Sequence, residues 1–245
     1  MHVVKSDKLR LIYVTNPKAA SSSIFKLMLA LSGVQPNMPA RKALRRDSFK
    51  AIARDAGVSR IKFSRKRARR FQKRHANYTF FTFVRDPYSR CVSNYYNKLN
   101  RVAKEYSRND YYFAKAMQIA SGPAAWSSHL RGIAFLKKRI SFEDYVRLLR
   151  EHGIDFSHHF GLQRTAISYN DLKFDFIGKV ESFDYDIDVL LGNAGAARTN
   201  DDKPTRENVS SGKQDMNDLL TDDLKRAIYA MYQPDFETFG YDRSF

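Results

Sequence analysis

The sequence predicts an α/β protein with a parallel sheet flanked by helices, and two observations carry that prediction. A unit of strand, tight polar turn and helix occurs twice, from Leu11 to Leu31 and again from Tyr78 onward. The second of these strands, Tyr78-Thr79-Phe80-Phe81-Thr82-Phe83-Val84, is aromatic and β-branched without alternation, as a strand buried on both faces reads. Sheets of this kind bind ligands at the carboxyl ends of their strands, which directs attention to the two turns.

Taken in order, Leu11, Ile12, Tyr13 and Val14 form the first core strand, and Asn16-Pro17 breaks it. Ile24, Leu27, Met28 and Leu31 then recur at i, i+3, i+4, i+7 on one face of a helix. Gly33, Pro36 and Pro39 mark a loop, Ala40 to Ala56 reads as helical, and Arg65 to His75 is a second, intensely basic run. After the aromatic strand, Arg85-Asp86-Pro87 makes a charged turn, and proline begins the helix behind it. The pattern from Tyr106 to Arg150 is helical, interrupted at Gly122-Pro123, and Ser141 to Asp144 reads as a cap with an acidic first turn. Around Trp126, His129 and Arg131 the residues read as packing. Asp155 to Gln163 is a polar turn with adjacent histidines, Phe174 to Val180 a third strand, and Tyr185 to Leu191 an acidic helix. Gly192 to Gly212 is loop-like, and Thr221 to Tyr241 is an amphipathic helix with an aromatic tail.

At 245 residues, with no linker or internal repeat, the chain reads as one domain, 1–245, carrying a basic helical insert at about 40–76. The formal charge of +17 is concentrated there: Arg41 to Arg74 holds fifteen Lys/Arg against Asp47 and Asp55, while the rest of the chain carries 28 basic and 24 acidic residues. Such a block suits a polyanionic glycan, an anionic membrane surface or nucleic acid, unless it is simply a solvated face. No apolar run reaches 18 residues and no secretory signal is recognisable, although a chain trimmed of an anchor would read the same. Cys91 is the single cysteine, so no intrachain disulfide and no cysteine-based metal cluster is expected, in keeping with a reducing cytoplasm.

The chemistry gathers at the turns. Between the first strand and its helix lie Lys18, Ala19, Ala20, Ser21, Ser22 and Ser23. Small side chains let an anion approach the backbone, the first N–H groups of the helix point at it, hydroxyls add donors, and lysine adds a mobile charge. The alternative is that the serines only cap a helix and Lys18 is solvated. Glycines required by the GxxxxGK[ST] loop are missing. At the second turn Arg85 is followed by Ser93, about 9 Å along the helix from its start near Pro87. Two such junctions suit a ligand with two separated phosphates.

Four stretches, Pro17–Ile24, Phe81–Leu99, Phe174–Leu191 and Ile228–Tyr241, resemble in matching order the signatures of the Golgi-type carbohydrate sulfotransferases (sulfotransferase family 2), a family with many bacterial relatives. The resemblance implies a P-loop-kinase-like fold that uses 3′-phosphoadenosine 5′-phosphosulfate as donor, without metal. It implies that Lys18 to Ser23 hold the 5′-phosphosulfate and that Arg85 and Ser93 hold the 3′-phosphate. A His-Trp-x-Pro-Gln pattern of the family corresponds to His159-Phe160-Gly161-Leu162-Gln163, with the Trp and Pro positions changed. Sulfuryl transfer to a sugar hydroxyl needs a base, for which His159 is the first candidate, ahead of His158 and His75. Lys18 would stabilise charge on the leaving phosphate. Lys179 and Glu181 stand at a strand end, and Asn208, Ser210 and Lys213 lie in a loop able to close over the nucleotide.

The expected function is therefore transfer of sulfate to a carbohydrate, anionic in character if the Arg41 to Arg74 block steers it, by a bacterial cytoplasmic enzyme or a trimmed Golgi-lumen catalytic domain. No nucleic acid is expected as partner. Competing readings are a P-loop-like phosphotransferase, which would need magnesium ligands and a glycine-rich loop, and a basic nucleic-acid-binding protein.

Overall fold

The computed structural model describes residues 1–34, 47–96, 141–155, 159–197 and 216–243. Residues 35–46, Trp126, His129, Arg131, His158, Asn208, Ser210 and Lys213, on which several sequence expectations fall, lie outside the described residues. The chain forms two compact units: Met1–Arg85 with Gln163–Val209, and Asp86–Leu162 with Ser210–Phe245.

The first unit holds a five-stranded sheet: β1 (His2–Ser6), β2 (Leu11–Val14), β3 (Val58–Lys62), β4 (Thr79–Val84) and β5 (Phe176–Lys179), in the order β3-β1-β2-β4-β5. Strands β2, β4 and β5 are parallel, with Leu11 opposite Thr79 and Val84 opposite Lys179. The expectation of a parallel sheet needs correction on its other side, where β1 pairs antiparallel with both β2 and β3. The basic segment 40–76 is likewise not helical throughout, because Val58–Lys62 forms the edge strand. Its exposed Arg60 and Lys62 are of the kind that discourages edge-to-edge pairing.

Five helices accompany the sheet among the described residues: α1 (Ser21–Leu31), α2 (Asp47–Asp55), α3 (Ala68–Arg74), with a 3₁₀ turn at Arg65–Arg67 before it, then α6 (Gln163–Ala166) and α7 (Phe183–Asn193). The core joins β2 and β4 to the inner faces of α1 and α7 through Tyr13, Ile24, Met28, Phe81, Phe83 and Ile187. Gly178 is required by close approach: a Cβ there would lie 2.5 Å from the Phe83 ring.

The second unit contains α4 (Pro87–Tyr95), α5 (Phe142–His152), α8 (Met216–Leu219) and α9 (Asp222–Phe239). Ser141 and Asp144 make a reciprocal capping box for α5, as the sequence anticipates. The left-handed Gly240 ends α9. Tyr88, Tyr95, Tyr145, Phe160, Tyr232 and Phe236 form this unit's aromatic core. Among the described residues no helix is long and apolar enough to cross a membrane.

Candidate active site

The loop after β2 is held by its own strand. Tyr13 is fully buried, and burial pushes its phenol up to about 12, so it remains a neutral hydrogen-bonding group. Ser21 Oγ donates to the Asn16 carbonyl at 2.7 Å and therefore accepts the Tyr13 hydroxyl proton at 2.8 Å. Ala19 N–H also reaches the Asn16 carbonyl, at 3.3 Å. The Ser21 hydroxyl is thus committed to shaping the loop.

Two residues of this loop are left-handed without being glycine: Lys18 at φ 70° and Ala20 at φ 55°. Each carries a backbone penalty of roughly 1–2 kcal/mol. Left-handed residues so placed are a recurring part of anion-cradling backbone. The first intrahelical bond runs from Ile24 N–H to Ala20 O at 3.0 Å, so Ser21, Ser22 and Ser23 begin the helix with N–H groups that have no helical carbonyl to meet. No side chain caps this end and no acid stands in its first turn, which leaves the positive pole of α1 un-neutralised. Lys18, Ser21 and Ser22 are half-buried, while Ala19 and Ser23 are buried.

Arg85 follows β4, parallel neighbour of β2, and its backbone is gripped by a residue whose role the sequence leaves unassigned. Gln163 Oε1 accepts from Arg85 N–H at 3.0 Å, and Gln163 Nε2 donates to the Arg85 carbonyl at 2.8 Å. The same Oε1 accepts from Asn16 Nδ2 at 3.0 Å, and Asn16 Nδ2 also donates to the Phe83 carbonyl at 2.9 Å. Gln163 and Asn16 are both fully buried. This amide pair ties the Lys18 loop to the backbone of Arg85 at one end of the sheet. Lys179, in register with Val84, lies at that same end, where its N–H donates to Asp186 at 2.6 Å.

Ser93 and His159 belong to the second unit. Ser93 is half-buried on α4. At the start of that helix Asp86 accepts from Ser89 N–H at 2.7 Å, so the helix end carries its own carboxylate. The backbone of His159-Phe160-Gly161 is held at each carbonyl. Asn94 Nδ2 donates to His159 O at 2.9 Å, Arg90 donates to Gly161 O at 2.9 Å and to His159 O at 3.3 Å, and Tyr232 donates to Phe160 O at 2.7 Å. Arg90 is 1% exposed and Asn94 fully buried. A signal for these two was present: polar residues at i and i+4 on a helix face lined otherwise by Cys91 and Tyr95. Beside them Cys91 is buried and its thiol is pushed up to about 12 by that burial.

His75, the third candidate base, stands before the opposite end of β4. Its Nδ1 is 2.9 Å from the Phe71 carbonyl and its ring lies 4.3 Å from that of Phe71.

These features define a class: an α/β protein with a left-handed loop and an uncapped helix start at the carboxyl end of its parallel strands. The chain belongs to the sulfotransferase family, whose model matches residues 1–242. It is similar to human carbohydrate sulfotransferase 14, 26% identical over 78% of this chain and 46% of the relative. It is also similar to carbohydrate sulfotransferase 12 of Xenopus laevis, 26% identical over 99% of this chain and 60% of the relative. A third relative, carbohydrate sulfotransferase 11 of Rattus norvegicus, is 25% identical over 98% of this chain and 67% of its own length. The chain thus spans between about half and two thirds of these relatives. No solved structure matches it.

Proposed function

We propose that this chain is a sulfotransferase that moves the sulfuryl group of 3′-phosphoadenosine 5′-phosphosulfate to a hydroxyl of a carbohydrate, on a P-loop-kinase-like α/β domain spanning 1–245. The observation that carries the reading is the Lys18–Ser23 loop, whose left-handed Lys18 and Ala20 lead into a helix end with neither cap nor acid. A doubly anionic phosphosulfate fits such an end better than a neutral or cationic ligand does. Lys18, the two alanines, and the N–H groups of Ser21 to Ser23 would hold the phosphosulfate, while Arg85 and Ser93 would hold the 3′-phosphate. The donor supplies an activated sulfur–oxygen bond whose leaving oxygen gains negative charge. Lys18 places an ammonium for that charge, and His159 takes the proton of the attacking hydroxyl. The membership and the carbohydrate sulfotransferase relatives support this chemistry. An anionic acceptor suits the Arg41 to Arg74 block, and the lone buried Cys91 suits the reducing cytoplasm in which we place the enzyme.

Calorimetric titration with 3′-phosphoadenosine 5′-phosphate tests the reading directly. Wild type should bind in the micromolar range, Arg85→Ala should lose at least tenfold, and ATP should bind weakly. A folded wild type that ignores the nucleotide, or prefers ATP, would refute it.

A further inference from the structure

The basic run from Arg60 to Arg74 holds nine Lys/Arg and no acid, and all nine side chains are exposed. Among the described residues its one ion pair is Arg69 with Asp171, at 3.8 Å. The helix α3, which carries four of the nine, is firmly seated. Phe71 stacks on Phe63 with ring centroids 4.5 Å apart and meets Phe80 edge-on at 6.2 Å. Gln72 exchanges two hydrogen bonds with the backbone of Lys173, at 2.5 and 3.0 Å. Apolar and amide groups therefore anchor one side of α3, and cations crowd the other.

Where α3 meets the segment 170–175, an open cleft of about 610 Å³ is lined by Arg69, Lys73 and Lys173 together with Asp171, Asp175 and Asn170. It lies at the amino ends of β4 and β5, whereas the Lys18 loop and Arg85 lie at the carboxyl ends of β2 and β4. The length of β4 puts roughly 20 Å between the two places. A sugar held in the cleft is too remote to present its own hydroxyl for transfer.

We infer that this cleft is a second binding site for an acidic polysaccharide, gripping a stretch of the chain away from the reacting sugar. Its mixed lining favours a glycan over nucleic acid. Cations meet the carboxylates or sulfates, and the carboxylate oxygens that Asp171 does not spend on Arg69 and Asp175 does not spend on the Phe80 N–H accept from sugar hydroxyls, of which a glycan offers two or more on each residue and RNA a single 2′-hydroxyl. That the glycan is the acceptor itself rests on the proposed function; that the cleft binds an acidic glycan does not.

The test is fluorescence anisotropy of a labelled galacturonic-acid octamer with the full chain. The probes run in parallel are an uncharged maltooctaose and a twelve-nucleotide single-stranded RNA. Wild type should bind the octamer, bind maltooctaose at least tenfold more weakly, and bind RNA no better than the octamer. Lys73→Glu with Lys173→Glu should weaken octamer binding at least tenfold. Arg60→Glu with Lys62→Glu, equal in charge change but outside the cleft, should weaken it less than threefold. Equal losses in the two pairs would mean diffuse charge and no site, tighter RNA binding would overturn the glycan assignment, and no octamer binding by wild type would overturn the proposal outright. Titration of the same samples with 3′-phosphoadenosine 5′-phosphate separates the two readings. An intact nucleotide response in the cleft variant shows that it is folded, and octamer binding by a wild type that ignores the nucleotide would leave the cleft standing while the sulfotransferase reading falls.

Discussion

The two strand–turn–helix junctions look alike in sequence and differ in what they leave open. After β2 the helix begins with three serines, a left-handed Ala20 and no capping side chain. After β4 it begins with Pro87, and Asp86 accepts the Ser89 N–H. The first helix end is available to an outside anion, whereas the second is already occupied by the protein's own carboxylate. Any anion bound beside the second junction must be held by side chains, the part proposed for Arg85. A repeated pattern thus separates into one helix end without a cap and one capped by its own carboxylate.

The strongest way to break this contrast is Lys18→Ala. Turnover, measured as release of the desulfated nucleotide, should fall by about 10²–10³, with a smaller loss of nucleotide affinity, because the ammonium acts on charge that develops during transfer. Equal losses in both would make Lys18 a binding residue only. Next in size, Gln163→Ala strips a partner from the Asn16 amide and from both backbone groups of Arg85, and chemical denaturation should show a loss of about 3 kcal/mol. An unchanged midpoint would mean that water replaces the clamp. The smallest effects sharpen the comparison by their opposite signs. Asp86→Ala removes a cap and should cost about 1 kcal/mol. Ala20→Gly relieves a left-handed alanine and should stabilise by up to about 1 kcal/mol, less what glycine adds to the freedom of the unfolded chain.

The sequence discloses elements whose cause is local. Strands β2, β4 and β5 are apolar or aromatic runs bounded by breakers, α4 opens with Asp-Pro, and α5 opens with a capping box. Strands β1 and β3 escape notice because they are short, carry Lys5, Arg60 and Lys62, and sit on the antiparallel side of the sheet. Their strand character comes from pairing with each other, Val3 opposite Ile61, a relation that periodicity over five residues cannot express. The site divides in the same way. The position of the Lys18 loop is readable because small residues stand between a strand run that ends at Val14 and a helical run of apolar residues that begins at Ile24. Gln163 is not, because its partners Asn16 and Arg85 are 147 and 78 positions away. Arg90 and Asn94 are visible as polar residues on an apolar helix face, but their partners, the carbonyls of 159 and 161, lie 65 or more positions away.

The Gln163 clamp also has a topological meaning. Arg85 is the last residue of the first unit before the chain departs, and Gln163 is the residue at which it returns. The point of exit and the point of re-entry are thus stapled to one another. Closing a loop of that length carries an entropic penalty of roughly 4 kcal/mol, and doubling its length adds only about 0.6 kcal/mol. By this entropy alone, the length of chain between the two points matters little to the sheet, whereas a substitution at the staple does.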